Sequence, residues 1–243
     1  MDYKILNAAD HSDLCGLQTA VGWSEFILHD AVSLVYWEKL FTHFPTFQLV
    51  VLDDGEVVGT LNAIPLCVDA ERMELDDRGW DWALEKGFAD WQSGLEPTVL
   101  CGLQIGIGAR YRGKGVSKML IGLMKQLAVQ HGLAALVLPI RPNMKHRYPL
   151  IKMEDYVGWT NDDGLPFDPW IRTHVKLGAQ IKNVCRRAMH IAGSISEWES
   201  WTGMTFKTSG AYTVDSALVP INVSVEANKA EYVEPNIWMV HHL

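Results

Sequence analysis

Residues 103–117 gather the side chains best suited to chemistry: LQIGIGARYRGKGVS places Gly106, Gly108, Arg110, Arg112, Gly113, Lys114 and Gly115 directly after an apolar run. Glycines at this spacing let the backbone turn tightly and approach a ligand, and basic side chains beside exposed N–H groups attract anions. An amphipathic helix is expected next, because Met119, Leu120, Leu123, Met124 and Leu127 recur at helical spacing and Gly132 stands at a C-terminal cap position. The first N–H groups of such a helix lack partners within it and hold phosphate readily. Residues 103–107 before the turn and 134–140 after the helix read as strands, the second buried on both faces.

Two phosphate-binding patterns fail at single positions. The dinucleotide fingerprint G-x-G-x-x-G needs glycine where Tyr111 stands, and Arg141 rather than an acid follows the next strand. The pattern G-x-x-x-x-G-K-[ST] fits from Gly108 to Lys114 but has Gly115 in place of the hydroxyl that would hold Mg²⁺. A P-loop-like nucleotide binder stands as an alternative on that partial match.

The turn also resembles that of the GNAT superfamily of N-acetyltransferases, R/Q-x-x-G-x-G/A. Arg112-Gly113-Lys114-Gly115-Val116-Ser117 matches except at the final serine, and Tyr111 and the strand ending at Ile107 sit where that pattern has them. The resemblance implies an α/β (α+β) fold: a mixed, mostly antiparallel sheet of about seven strands flanked by helices, with splayed parallel central strands. It implies acetyl-CoA as acyl donor without a metal. The pyrophosphate would lie on Arg112, Gly113, Lys114, Gly115, Val116 and Ser117, and the pantetheine arm along Ile105, Gly106 and Ile107, with the Ile107 N–H facing the thioester oxyanion. A second likeness lies in His174-Val175-Lys176-Leu177-Gly178-Ala179, where many members read Tyr-x-x-Leu-Gly-Phe. His174 thereby takes the position of the proton donor to the departing thiolate, with Tyr148 and Tyr156 as rivals for that role. The motif strand has no acidic residue, which leaves Asp81, Glu85, Glu154 and Asp155 as unranked candidates for the base. A non-catalytic acyl-CoA-binding or sensor module of the same fold is a further alternative.

The surrounding elements follow from patterning. Residues 4–7 suggest a first strand, Asp10 or Ser12 a cap for a helix with Leu14, Leu17 and Val21, and residues 30–41 a second helix burying Val32, Val35, Tyr36, Trp37 and Leu40. Asp53-Asp54-Gly55 between apolar runs signals a hairpin, whose second strand holds Gly59. Trp80, Trp82, Phe88 and Trp91 mark a helical insertion within 65–97, and the irregular stretch 141–170, with four prolines, holds a second insertion at 144–167. Asp168-Pro169 starts a helix, residues 189–192 read as a strand, Ser196 caps a short helix, and residues 217–225 and 230–233 form a last hairpin.

At 243 residues the chain reads as one domain, 1–243, with those two insertions. A net charge of −8 argues against nucleic acid as a partner, and no apolar run reaches the roughly 18 residues of a membrane span. Cys15, Cys67, Cys101 and Cys185 form no CxxC pair and are expected to be buried thiols, and with no signal segment the expected location is the cytoplasm. Aromatic walls in an acidic protein suit a small amine substrate, and the free edge of the last hairpin permits a homodimer.

Overall fold

A computed structural model describes residues 3–69 and 71–243. The described residues form a nine-stranded sheet in the order β1-β2-β3-β4-β5-β9-β8-β7, with β6 on the second edge of β9. Its strands are β1 (Lys4–Asn7), β2 (Gln48–Asp53), β3 (Glu56–Leu66), β4 (Val99–Ile107), β5 (Ala135–Ile140), β6 (Gln180–Gly193), β7 (Gly210–Tyr212), β8 (Ile221–Ser224) and β9 (Lys229–His242). Every pairing is antiparallel except β4 with β5. The expected count of about seven is exceeded, β7 being a three-residue strand absent from the sequence reading, while the expected hairpin of 217–225 and 230–233 is found as β8 and the start of β9.

The helices are α1 (Ala31–Tyr36), α2 (Leu40–His43), α3 (Gly79–Gln92), α4 (Val116–Gln130), α5 (Met153–Val157), α6 (Pro169–Lys176) and α7 (Ile195–Thr202). The single helix expected over 30–41 is broken into α1 and α2, and Val35 is exposed rather than buried. The first expected helix is a 3₁₀ stretch, Leu14–Val21, without a side-chain cap; the Val21 side chain lies outside the described residues. Ser194, not Ser196, caps α7, exchanging bonds with Glu197 in a capping box. At the β2–β3 hairpin Asp54 and Gly55 both have positive φ, 47° and 86°, as a two-residue turn between twisted strands requires.

The two faces of the sheet carry different helices. A Cβ at Gly59 would lie 2.7 Å from Leu120 of α4, and one at Gly102 would lie 2.6 Å from Met124 of α4. Ile64 and Leu66, on the opposite face of β3 by strand alternation, meet Gly87 of α3. Helices α3 and α4 therefore cover opposite faces, and the strands between them are buried on both sides. Gly59 is also where backbone passes close: its Cβ would stand 2.7 Å from the Gly106 carbonyl.

Candidate active site

The centre of the sheet opens. The parallel ladder between β4 and β5 has three pairs, Val99↔Ala135, Leu100↔Leu136 and Cys101↔Val137, while β4 continues to Ile107 and β5 to Ile140. Beyond Cys101 the two strands part, each still held on its outer edge, β4 by β3 and β5 by β9. The Gly108 N–H donates to Val58 O, 2.9 Å. By alternation the N–H and C=O groups of Ile105 and Ile107 point the other way, into the opening. On the facing side the Leu243 N–H donates to Ala134 O. The same alternation aims residue 139 of β5 at the opening, and residue 139 is proline, which has no N–H to leave unpaired. A wedge lined by β4 main-chain groups that no neighbouring strand pairs is a ready partner for a ligand that carries amides.

Near the base of the wedge β4 is kinked. Its register against β3 moves from Asn62↔Gln104 to Ala63↔Gly102, which leaves Leu103 as an extra residue. The displaced Leu103 carbonyl accepts the indole N–H of Trp80, from α3, at 2.9 Å.

At the mouth, directly after β4, comes the glycine–arginine turn. Gly108 is confined: its Cβ would stand 2.4 Å from Val57 O. Gly113 and Gly115 have φ of 75° and 82°, so only glycine takes these positions without strain. Gly115 is the N-cap of α4, and no side chain caps the helix. Arg112, Lys114 and Lys118 are exposed around this bare helix start. The Arg112 Nε lies 3.4 Å from Ile107 O, and Lys114 stands over the Tyr111 ring. Tyr111 is held in turn by Asp53, and Arg110 is turned away to Glu56. Val116 is buried beneath the turn and Ser117 is half-buried. The arrangement offers N–H groups, a helix dipole and two to three cations to an anion.

His174 and Tyr148 are placed apart, and no ring contact joins them among the described residues. Asp168 caps α6, accepting from the N–H groups of Trp170 and Ile171, while its other oxygen takes the Tyr156 hydroxyl at 2.8 Å. One turn on, His174 is fully buried, with Nδ1 3.0 Å from Nε2 of His241 and its own Nε2 unpartnered. Burial, with His241 adding to it, pushes the His174 pKa down to about 3, and burial pushes His241 down to about 4. Both imidazoles are neutral at pH 7. His241 pairs with Leu136, at the closed end of the wedge. Tyr148 is half-buried in a box of rings, 5.0 Å from Trp159, 5.9 Å from Phe167 and 6.0 Å from Tyr156.

The acidic candidates also separate. Glu85 pairs with Arg78 and Glu154 with Arg186 at the surface, and Asp155 is exposed. Asp81 alone is buried, against Asp30, and one oxygen of each carboxyl has no partner. Burial, reinforced by Asp30, raises the Asp81 pKa to about 8.

A family profile described as the acetyltransferase (GNAT) family matches residues 21–153. The arginine N-acetyltransferase avaD of Aspergillus versicolor is 32% identical over 247 residues, covering 90% of this chain and 84% of that protein. The chain belongs to the GNAT acetyltransferase family. Its fold is similar to that of the loading GNATL domain of CurA from Lyngbya majuscula, with a TM-score of 0.64 at 17% identity over 100% of this chain and 98% of the other. It is also similar to the GphF GNAT-like decarboxylase in complex with isobutyryl-CoA, with a TM-score of 0.56 at 16% identity over 100% of this chain and 99% of the other. At such identities the likeness is one of fold.

Several polar residues in and beside the central strands are absent from the motif reading. Arg141, just past β5, places its Nε 3.0 and 2.9 Å from the two oxygens of the buried Glu234, which also accepts from Tyr232 and Asn236. The network fills the stretch of β9 between its pairings with β8 and β5. Lys145 is buried with its Nζ on the carbonyls of Tyr148 and Leu218, and burial lowers its pKa to about 8. Gln48, Asn62 and Gln104 stand as polar residues inside β2, β3 and β4. Their trace in the sequence is polarity interrupting strand runs, a signal that carries no partner assignment.

Proposed function

We propose that this N-acetyltransferase moves an acetyl group from acetyl-CoA to a primary amine of a small cationic molecule of the arginine class. The open wedge with the uncapped cationic turn at its mouth carries the reading. The pyrophosphate lies on the N–H groups of Gly113 to Ser117 with Arg112 and Lys114 beside it. The pantetheine arm descends the wedge, its amides bonding to Ile105 and Ile107 as a short replacement for the missing strand ladder. The thioester then stands deeper than Ile107, next to the kink at Leu103. The Ile105 N–H, rather than that of Ile107, is the donor nearest its oxygen as negative charge develops there.

The neutral amine attacks the thioester carbon. A C–N bond forms, the C–S bond breaks, the amine loses a proton to solvent, and the thiolate leaves to take one up. His174, neutral at pH 7, is a poor source of that last proton. The arginine class of acceptor is supported by the relative avaD, an arginine N-acetyltransferase.

Calorimetric titration with acetyl-CoA tests the donor assignment. Wild type binds, and an Arg112→Ala, Lys114→Ala double variant binds at least about tenfold more weakly, two charge-assisted contacts being lost. Equal binding by both refutes it. CoA release measured across arginine, decarboxylated arginine and simple alkylamines tests the acceptor class, with arginine-like amines expected to turn over fastest.

A further inference from the structure

Three carboxamides cross the sheet in a single hydrogen-bonded file. Gln48 and Asn62 are fully buried, and Gln104 is half-buried at the edge of the wedge. The Gln48 Nε2 donates to two main-chain carbonyls, Phe44 O and Ala63 O, both at 2.9 Å. Carbonyls only accept, so this end of the file has one orientation, and the Gln48 oxygen must face the next amide. It accepts from Asn62 Nδ2 at 3.0 Å, and the Asn62 oxygen accepts from Gln104 Nε2 at 3.3 Å. The Gln104 oxygen is thereby turned outward, where it accepts the indole N–H of Trp23 at 2.9 Å.

Gln104 follows the extra residue of the β4 kink directly. Its side chain shares the α3 face with Asn62, whereas Ile105 and Ile107 pack on the α4 face against Val116 and Leu120. The cationic turn belongs to the α4 face. A thioester entering the wedge from that side presents its carbonyl carbon to the other, where Gln104 stands. Three amides in a sheet interior cost stability relative to well-packed apolar residues. What they accomplish here is to fix the direction of the Gln104 carbonyl oxygen at the edge of the wedge.

We infer that the Gln104 side-chain oxygen docks the acceptor amine, accepting one of its N–H bonds so that the nitrogen lone pair points at the thioester carbon. Trp23 holds that place in the free protein. It is 40% exposed and lies between the 3₁₀ turns Leu14–Val21 and Glu25–His29, so the bond can be exchanged for one to a ligand. Gln104 takes no proton; it is a positioning residue, and the proton leaves through solvent. The inference rests on the acetyl-transfer reading above.

The test uses the whole chain, with arginine as first probe and otherwise the panel amine that releases CoA fastest. Gln104→Leu keeps the volume and removes the acceptor. Acetyl-CoA binding by calorimetry is expected within twofold of wild type, while the amine KM rises about tenfold or more, the usual consequence of an unpaired polar contact. Trp23→Phe, which removes the indole donor, leaves the amine KM equal or lower. Gln104→Glu puts a titratable group at the same point, and its kcat/KM against pH gains a limb between pH 4 and 7 that wild type lacks. An unmoved amine KM in Gln104→Leu with acetyl-CoA binding retained overturns this inference alone. Absence of acetyl-CoA binding by wild type overturns it together with the acetyl-transfer reading. Should Gln104→Leu fail to fold, Gln104→Glu decides: a pH profile superimposable on wild type overturns the assignment.

Discussion

Asp81 and Asp30 cannot both carry charge comfortably. Each is buried with an unpartnered oxygen, and the Asp81 pKa is raised to about 8 by burial first and by Asp30 second. In the unfolded chain Asp81 titrates near 3.8. Between those values the folded state holds a proton that the unfolded state has lost, so stability present in acid declines as pH rises toward 8. Asp81→Asn removes the penalty. Its melting temperature is expected above that of wild type at pH 7, by an amount corresponding to about 1–4 kcal/mol, with the difference shrinking as pH falls to 4. A variant less stable than wild type across this range would mean that the carboxylate is needed charged. Residues like these show where a sequence is silent. Asp81 was visible as one acid among four, but nothing local announces that Asp30, 51 positions earlier in the chain, closes over it. His174 was visible through a local match, yet its partner His241 is 67 residues away, and that partner with its burial decides the protonation state.

Among the elements, the strand–turn–helix of β4 and α4 was legible because its constraints are local: glycine is demanded by positive φ at 113 and 115, and the helix by its apolar spacing. The capping aspartate of α6 was legible for the same reason. Strand β6 was legible only in its second half. Its earlier part carries Lys182, Asn183, Arg186 and Arg187, all exposed; among the described strands β6 pairs with β9 alone, and the Arg186 and Arg187 N–H groups are taken by Asp77. The end of β9 was hidden by Pro235-Asn236, which reads as a break although the strand continues through it to His242. The parted edge of β4 has its own signature. In the free protein the amides of Ile105 and Ile107 lack a strand partner, so they are expected to exchange with solvent deuterium much faster than those of Val99 and Cys101, which lie in the β4–β5 ladder. Saturating acetyl-CoA should slow both. Equal protection along β4 without ligand would contradict the open wedge.

Across the whole molecule, helix and sheet are joined at a titratable contact, since His174 of α6 meets His241 of β9. Their pKa values are lowered to about 3 and about 4, whereas unfolded histidine titrates near 6.5. Below that value the unfolded chain binds protons that the folded chain refuses, so stability falls as pH drops from about 6.5 toward 3. Each neutral histidine contributes up to about 1.4 kcal/mol per pH unit to that slope. Urea midpoints measured from pH 7 to 4 are expected to fall steeply in wild type and less steeply in His241→Gln, whose amide pairs with His174 without titrating. Parallel slopes would show the pair to be charged in the folded state. The global order of elements was readable because the motif anchors the middle of the sheet. The hairpin of 217–225 with 230–233 was readable and is found as β8 with the start of β9, but β7 was not, since a three-residue strand is held by its neighbour rather than by its own pattern. Pro139, finally, bears on how such a sheet avoids healing itself. A gap between two strands invites them to zip together, or invites a strand from another molecule to fill it. A proline at this point of β5 withholds the donor that either closure would use, so the gap stays available to a molecule that brings its own amides.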